Sequence, residues 1–160
     1  MAAAAAAPLP KPEPAPASEP GAEGASQHVL PDGAVARFAF YSRQVSKTGV
    51  PKPVAFEPEE HPDTGRLETS ICGLQDVSAD RLWHLGQNIR RDGRAAIAAI
   101  EVPVKAVLDT GLECVSAPEV DFPEHGVILG WDTDKGKRQS IQQDLVAAHT
   151  AVHRPPTRPE

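Results

Sequence analysis

The segment ARFAFY, residues 36–41, alternates its side chains with a period of two and decides how this chain folds. That period is typical of a β-strand that packs one face against a core. It predicts that the two phenylalanines point inward. The opposite, outward face would then carry Arg37, Tyr41 and, just beyond the strand, Arg43.

Similar patterns predict the other elements of the fold. Residues 67–72 alternate like a second strand, and Ser78 is suited to cap the start of a helix. Pro103 suits the first position of a short helix, and a last helix is predicted from Asp134 to Val152. Further strands are predicted at residues 54–56, 112–115 and 127–131, and residues 95–102 fit either a strand or a helical turn. This mixed order predicts an α+β fold, a small and mostly antiparallel sheet packed against two or three helices.

The composition divides the chain into one domain and two tails. Residues 1–27 are rich in alanine and proline and contain too little apolar surface to offset the entropy lost on ordering, so we predict a disordered tail. A single α+β domain is predicted for residues 28–153, and a second disordered tail for residues 154–160. No apolar run approaches the roughly 20 residues that span a bilayer, and no secretory signal is evident. We therefore expect a soluble, cytoplasmic protein without a membrane contact.

The residues from 34 to 56 include four cations and no acid, although the whole chain has a formal net charge of −6. The four cations are Arg37, Arg43, Lys47 and Lys52. One interpretation is a ligand-binding strand face, on which Arg37, Arg43 and Lys52 contact phosphates and Tyr41 stacks on a base. The other is a solvated edge hairpin whose lysines discourage strand-to-strand aggregation. The negative net charge opposes strong nucleic-acid binding, which leaves only a weak nucleotide or nucleic-acid contact open.

Two residues are candidates for catalysis. His125 precedes an apolar strand segment, and imidazole can exchange protons near neutral pH, so His125 is the best candidate for a general acid or base. The alternative is a structural histidine that ties down its loop through a backbone hydrogen bond. Ser70, in the middle of the second predicted strand, is the candidate for orienting a substrate.

Common metal, cofactor and redox motifs are missing from the sequence. Residues 130–138 (GWDTDKGKR) depart from a phosphate-binding loop, because the glycines are one residue too far apart and Arg138 replaces the serine or threonine. His149 and His153 are four apart on the predicted last helix, but the glutamate of a zincin motif is absent. The two cysteines, Cys72 and Cys114, are not in a CxxC pair and are expected to be buried thiols. We expect no metal and no cofactor.

Five short segments resemble a loosely defined group of small bacterial proteins for which no activity is established. They are residues 37–38 (RF), 52–58 (KPVAFEP), 67–71 (LETSI), 82–86 (LWHLG) and 123–131 (PEHGVILGW). The resemblance covers residues 34–131 and draws attention to Arg37, Phe56, Ser70 and His125. It implies no particular reaction. Where that group has leucine-serine-valine, this chain has threonine, serine and isoleucine at residues 69–71.

Two hypotheses about function follow. The first is a small non-catalytic interaction or accessory protein whose partner is another protein; the sequence leaves its oligomeric state open. The second is an enzyme acting on a nucleotide or nucleic-acid substrate, with Arg37 binding phosphate, His125 as acid or base and Ser70 orienting the substrate. The second hypothesis requires these three side chains to share one cleft, because catalytic groups must reach the same substrate.

Overall fold

The computed structural model describes residues 33–156, so the predicted tail at residues 1–27 and residues 157–160 lie outside the described part. The strands are β1 (Ala34–Ala39), β2 (Glu59–Glu60), β3 (Leu67–Gly73), β4 (Ala98–Pro103), β5 (Glu113–Ser116), β6 (His125–Leu129) and β7 (Ala151–His153). The helices are α1 (Ala79–Asn88), α2 (Val104–Asp109) and α3 (Lys135–Ala148), and a 3₁₀ helix spans Pro53–Phe56. Among the described residues, no helix is long and apolar enough to cross a membrane.

The strands form one sheet in the order β5-β6-β3-β1-β4-β7, with β2 added to a free part of β3. All strand pairs are antiparallel. This architecture confirms the predicted α+β fold. The pairing of β1 with β3 comprises two residue pairs, Val35↔Gly73 and Ala36↔Cys72, whereas β1 and β4 pair along six residues. A gap therefore opens between β1 and β3 beyond Ala36.

Both faces of the sheet are covered by helices. On one face, Leu82, Trp83 and Leu85 of α1 pack on Phe38 and Cys72. On the other face, the 3₁₀ helix, α2 and α3 supply a larger core, represented by Phe56, Val104, Val107 and Leu145. The predicted helix start at Ser78 is confirmed, because its side chain accepts a hydrogen bond from the backbone N–H of Arg81.

The prediction that Arg37 shares an exposed face with Tyr41 and Arg43 is wrong. Arg43 is exposed, but Arg37 is only 5% exposed. The physical reason is the position of β1 inside the sheet, with helices on both faces, so that Phe38 and Ala39 are both buried although they point in opposite directions. An alternating pattern therefore does not mark an exposed face here.

Two further predictions about secondary structure are wrong. Residues 54–56 belong to the 3₁₀ helix rather than to a strand, because Pro53 at its first position favours a helical turn that buries Ala55 and Phe56. The last helix ends at Ala148 and does not reach Val152. The chain becomes extended at His149, and the next residues form β7 along the edge of β4.

Residues 98–103 are a strand, which decides between the two alternatives for that segment.

The C-terminal segment is held against the domain beyond β7. Arg154, which the sequence assigned to the second tail, donates hydrogen bonds to the carbonyl oxygens of Ser46 at 2.7 Å and of Ile97 at 3.5 Å. These contacts join the end of the described chain to the turn after β1 and to the residue before β4.

Candidate functional site

An open cleft lies beside the gap between β1 and β3. It has a volume of about 430 Å³, its floor is formed by β3 and β6, and its rim by β2 and the loop before β6. We call it the Arg37 cleft; it is lined by Arg37, Glu59, Glu60, His61, Pro62, Arg66, Glu68, Ser70, Ala117, Glu119, His125 and Val127. An adjoining cavity of about 180 Å³ shares Arg37, Ser70, Glu119 and His125 with it.

Arg37 reaches this cleft from the opposite side of the sheet. Its neighbours Val35 and Ala39 belong to the core beneath α3, so its side chain leaves β1 on that face. Nε donates a hydrogen bond of 2.8 Å to the carbonyl oxygen of Ala55, and Nη1 donates one of 3.0 Å to the carbonyl oxygen of Ser70. Nη2 makes no hydrogen bond to the described residues. Burial, together with the charge of Arg91, lowers the pKa of Arg37 to about 10.

Glu59 lies between two guanidinium groups. One of its oxygens, Oε1, is 4.0 Å from Nη2 of Arg37, and the same oxygen forms an ion pair with Nη2 of Arg91. The side chain of Glu59 is 53% exposed, compared with 6% for Arg37 and 35% for Arg91. One exposed carboxylate is thus the counter-charge of two guanidinium groups, and one of these groups, that of Arg37, is buried.

The strand pairing brings Ser70 and His125 to the same face of the sheet. Ser70 is opposite Val127, and His125 is opposite Cys72, two residues further along β3. Because side chains two residues apart share a face, Ser70 and His125 are diagonal neighbours. Ser70 is exposed and both residues line the Arg37 cleft. The second hypothesis required Arg37, Ser70 and His125 to share one cleft, and the structure places all three there.

The orientation of His125 is restrained from three sides. Its Nδ1 lies 2.7 Å from the carbonyl oxygen of Ala117 and 3.3 Å from Oε1 of Glu119. The ring packs edge-on against Phe122, with a centroid distance of 5.2 Å. A carbonyl oxygen can only accept, so Nδ1 carries the hydrogen. Nε2 then has a lone pair that can accept a hydrogen bond, and no described residue contacts it as a partner.

The loop that precedes His125 is itself bonded to α1. Arg81 donates two hydrogen bonds to the carboxylate of Glu124, from Nε at 2.6 Å and from Nη2 at 3.0 Å. The hydrogen bonds from Arg81 lower the pKa of Glu124 below its usual range. The backbone carbonyl of Glu124 also accepts a hydrogen bond from the N–H of Gly73. His125, the first residue of β6, therefore follows a loop whose end is fixed.

The charges around the cleft are mixed. Four glutamates line it, and three of them lie within 4.0 Å of a positively charged or protonatable side chain: Glu59 with Arg37, Glu68 with Arg66, and Glu119 with His125. Such a rim would repel a long polyanion.

The other predicted ligand-binding residues lie elsewhere. Tyr41, Arg43 and Lys52 are not among the residues that line the cleft. The ring of Tyr41 has the guanidinium of Arg43 at 4.8 Å and that of Arg94 at 5.2 Å. The hydroxyl of Tyr41 donates a hydrogen bond to Asp92, which raises the pKa of Tyr41. This cluster is a surface structure beside the site.

The histidines considered as metal ligands are separated in the fold. His149 directly follows α3, and its Nδ1 lies 2.6 Å from the carbonyl oxygen of Val146. His153 is on β7, where its Nε2 lies 2.8 Å from Oε2 of Glu101 on β4. Among residues 33–156, no group of three or more histidine, cysteine, aspartate or glutamate side chains is arranged to hold a metal ion.

Sequence reasoning missed Arg91 and Glu59. Three arginines occur between residues 90 and 94, but no sequence pattern marks any of them as part of a site. Glu59 lies in an acidic segment with prolines, which has the composition of a solvated loop. The density of arginines was a usable signal, but nothing in the sequence pairs it with Glu59.

No protein-family model, no curated protein and no solved structure matches this chain. The functional interpretation therefore rests on the geometry of the Arg37 cleft.

Proposed function

We propose that the protein is a non-catalytic interaction protein, and that its partner presents an anionic group to the Arg37 cleft. The observation that carries this proposal is the buried guanidinium of Arg37, which is 5% exposed and still lines an open cavity of about 430 Å³. A buried charge requires a compensating partner. Its nearest carboxylate, on Glu59, remains 4.0 Å away.

The dimensions and charges of the cleft support a ligand with one anionic group. The volume falls within the range of about 300–1,000 Å³ that is typical of small-ligand sites. Guanidinium groups bind carboxylates and phosphates through paired hydrogen bonds. The glutamates on the rim argue against a nucleic-acid strand.

A thermal-shift screen of the full chain against carboxylates, phosphates and nucleotides tests this proposal. An anion at 100 times its Kd should stabilise the folded state by about 2.7 kcal/mol, which raises the Tm by about 10 °C. The rise should be lost in Arg37→Lys and kept in Arg43→Lys, because Arg43 is exposed and lies outside the cleft. If no anion changes the Tm of the wild type, the proposal is wrong.

The second candidate is an enzyme acting on a nucleotide or nucleic-acid substrate. The observation that favours it is the shared cleft of Arg37, Ser70 and His125, together with the restrained ring of His125. In this scheme Arg37 binds a phosphate, Ser70 orients the substrate and Nε2 of His125 exchanges the proton. The structural alternative for His125 also has support, since its Nδ1 ties down the loop at Ala117.

Product analysis separates the two candidates. The full chain is incubated with ribonucleotides and dinucleotides, and the mixture is followed by ³¹P NMR. An interaction protein shifts or broadens the phosphorus signals of a nucleotide that it binds, but no product signal forms even where the Tm rises. A new phosphorus signal that forms with wild type and not with His125→Gln would favour the enzyme.

We also propose that the protein is cytoplasmic. The two cysteines support this location, because both are free and buried, and Cys72 and Cys114 belong to cores on opposite faces of the sheet. Free buried thiols are typical of reducing compartments.

A further inference from the structure

Arg37 and Arg91 converge on one oxygen of Glu59, and this arrangement has the form of an occupied anion site. The two Nη2 atoms approach Oε1 from different elements, one from β1 and one from the turn after α1. The pair carries two positive charges, whereas Glu59 supplies one negative charge. The single carboxylate therefore leaves one of the two positive charges without a counter-charge.

We propose that Arg37 and Arg91 bind a phosphate monoester, and that Glu59 occupies their site until the phosphate displaces it. This inference rests on the proposed anion-binding function and names its ligand class. A phosphate dianion balances both guanidinium groups, and its three terminal oxygens can accept hydrogen bonds from both. The N–H groups of Arg37 Nη2, which make no hydrogen bond to the described residues, would then have an acceptor.

Glu59 is held weakly enough to leave. It belongs to β2, a strand of two residues that pairs only with β3. Its side chain is 53% exposed and can turn into water without crossing a packed region. Directly opposite Glu59 on β3 lies Glu68, and like charges in opposite positions destabilise a strand pair.

The test is an NMR titration of the full-length ¹⁵N-labelled chain with inorganic phosphate, O-phospho-L-serine, adenosine 5′-monophosphate and acetate. Phosphate should shift the Arg37 and Arg91 Nε–H signals and the Glu59 amide, and the shifts should saturate. In Glu59→Gln the Kd for phosphate should fall about three- to fivefold, the range that a partly exposed ion pair supports. In Arg91→Ala it should rise by about tenfold or more.

Glu57→Gln is the matched control. It removes the same charge two residues before Glu59; Glu57 is exposed, does not line the Arg37 cleft and makes no ion pair with the described residues. Its Kd should change by less than about twofold, because an exposed unpaired charge is screened by salt. The three variants Glu57→Gln, Glu59→Gln and Arg91→Ala change exposed or half-exposed residues, so the ¹⁵N spectrum can verify that each is folded.

The possible results distinguish displacement of Glu59 by phosphate from anion binding in the Arg37 cleft, on which it rests. Equal tightening of phosphate binding in Glu59→Gln and Glu57→Gln, or none in either, overturns the displacement of Glu59. Saturable binding of acetate without binding of the phosphates overturns the phosphate class but keeps an anion-binding cleft. If none of the four probes binds, both proposals fail. Tighter binding of O-phospho-L-serine than of the nucleotide supports a phosphorylated partner, and the reverse order supports a nucleotide.

Discussion

Nη1 of Arg37 lies 3.0 Å from the carbonyl oxygen of Ser70, in the place where the pairing of β1 with β3 has stopped. The side chain thus continues the contact between two strands whose backbones have separated. At the same time it connects β3 to the 3₁₀ helix through the carbonyl oxygen of Ala55. One guanidinium group therefore holds three elements together beneath the cleft.

Replacing Arg37 by lysine should lower the stability of the protein. Lysine keeps the charge but cannot donate to Ala55 and Ser70 in the planar arrangement of a guanidinium. At least one buried carbonyl oxygen would lose its donor, and we expect the free energy of unfolding to fall by about 1–3 kcal/mol. Urea denaturation followed by circular dichroism measures this change.

Arg43→Lys is the control for Arg37→Lys. Arg43 is exposed, so its replacement should change the free energy of unfolding by no more than about 0.5 kcal/mol. Equal losses in the two variants would show that the hydrogen bonds of Arg37 do not contribute to stability.

The fold class could be predicted from the sequence because the patterns that indicate its strands and helices are local. The alternation in β3 and the cap at Ser78 depend on neighbouring residues, and both correspond to the structure. The end of α3 could not be predicted from the sequence. The chain leaves the helix to form β7, and β7 forms only because the edge of β4 offers hydrogen-bonding groups. Ile100 and Val152 meet there although they are far apart in the chain.

Part of the candidate site could be predicted from the sequence. Ser70 and His125 lie on strands that the sequence predicts, and the pairing of these strands brings them together. The burial of Arg37 depends on the carbonyl oxygen of Ala55, which belongs to a helix that the sequence did not predict. The ion pair of Arg91 with Glu59 joins two segments that each looked like ordinary surface.

The Arg81–Glu124 pair should make the protein sensitive to acid. Arg81 lowers the pKa of Glu124 in the folded state, so the unfolded chain takes up a proton first as the pH falls. The stabilisation is complete above the ordinary glutamate pKa of about 4.3 and is lost as the pH falls through the lower value of the folded state. Wild type should therefore be more stable than Glu124→Gln at neutral pH, and the difference should shrink below about pH 4.3.

Chemical denaturation of both proteins across this pH range measures the difference. Asp109→Asn provides the comparison, because Asp109 and Lys105 form an exposed ion pair within one helix. Its effect should be smaller at every pH, since exposed pairs contribute little. A Glu124→Gln curve parallel to that of wild type down to acid pH would contradict the prediction.

Both thiols should be unreactive in the folded protein. Cys72 and Cys114 are buried, and burial raises the pKa of each to about 12. The thiolate is the reactive form of cysteine, and a thiol with a pKa of about 12 forms very little thiolate near neutral pH. Ellman's reagent at about pH 8 should label neither thiol in native buffer and both in concentrated guanidinium chloride.

The variants Cys72→Ser and Cys114→Ser assign any residual reaction to one thiol. Cys72 lies in the core beneath α1 and Cys114 in the larger core, so local opening of one face would expose only one of them. Rapid labelling of either thiol in the native protein would show that its core opens far below the global free energy of unfolding.

Gly126 has no room for a side chain, and this predicts a sharp cost for alanine. A Cβ atom there would lie 2.9 Å from the carbonyl oxygen of Val115 on β5, closer than such atoms approach. The backbone of β5 or β6 would have to move, and we expect Gly126→Ala to lower the free energy of unfolding by about 1–3 kcal/mol. The variant should also shift the NMR signals of His125, the preceding residue of β6.

Gly136→Ala makes the same chemical change where space exists. Gly136 lies in the first turn of α3, and the added Cβ would meet only the side chain of Asp134, at 3.4 Å. Alanine should raise the free energy of unfolding there by about 0.4–1 kcal/mol, because it restricts the unfolded chain and favours the helix. Urea denaturation of the two variants should thus give changes of opposite sign. A rise in both variants would mean that the packing of β5 against β6 is looser than the position of Val115 requires.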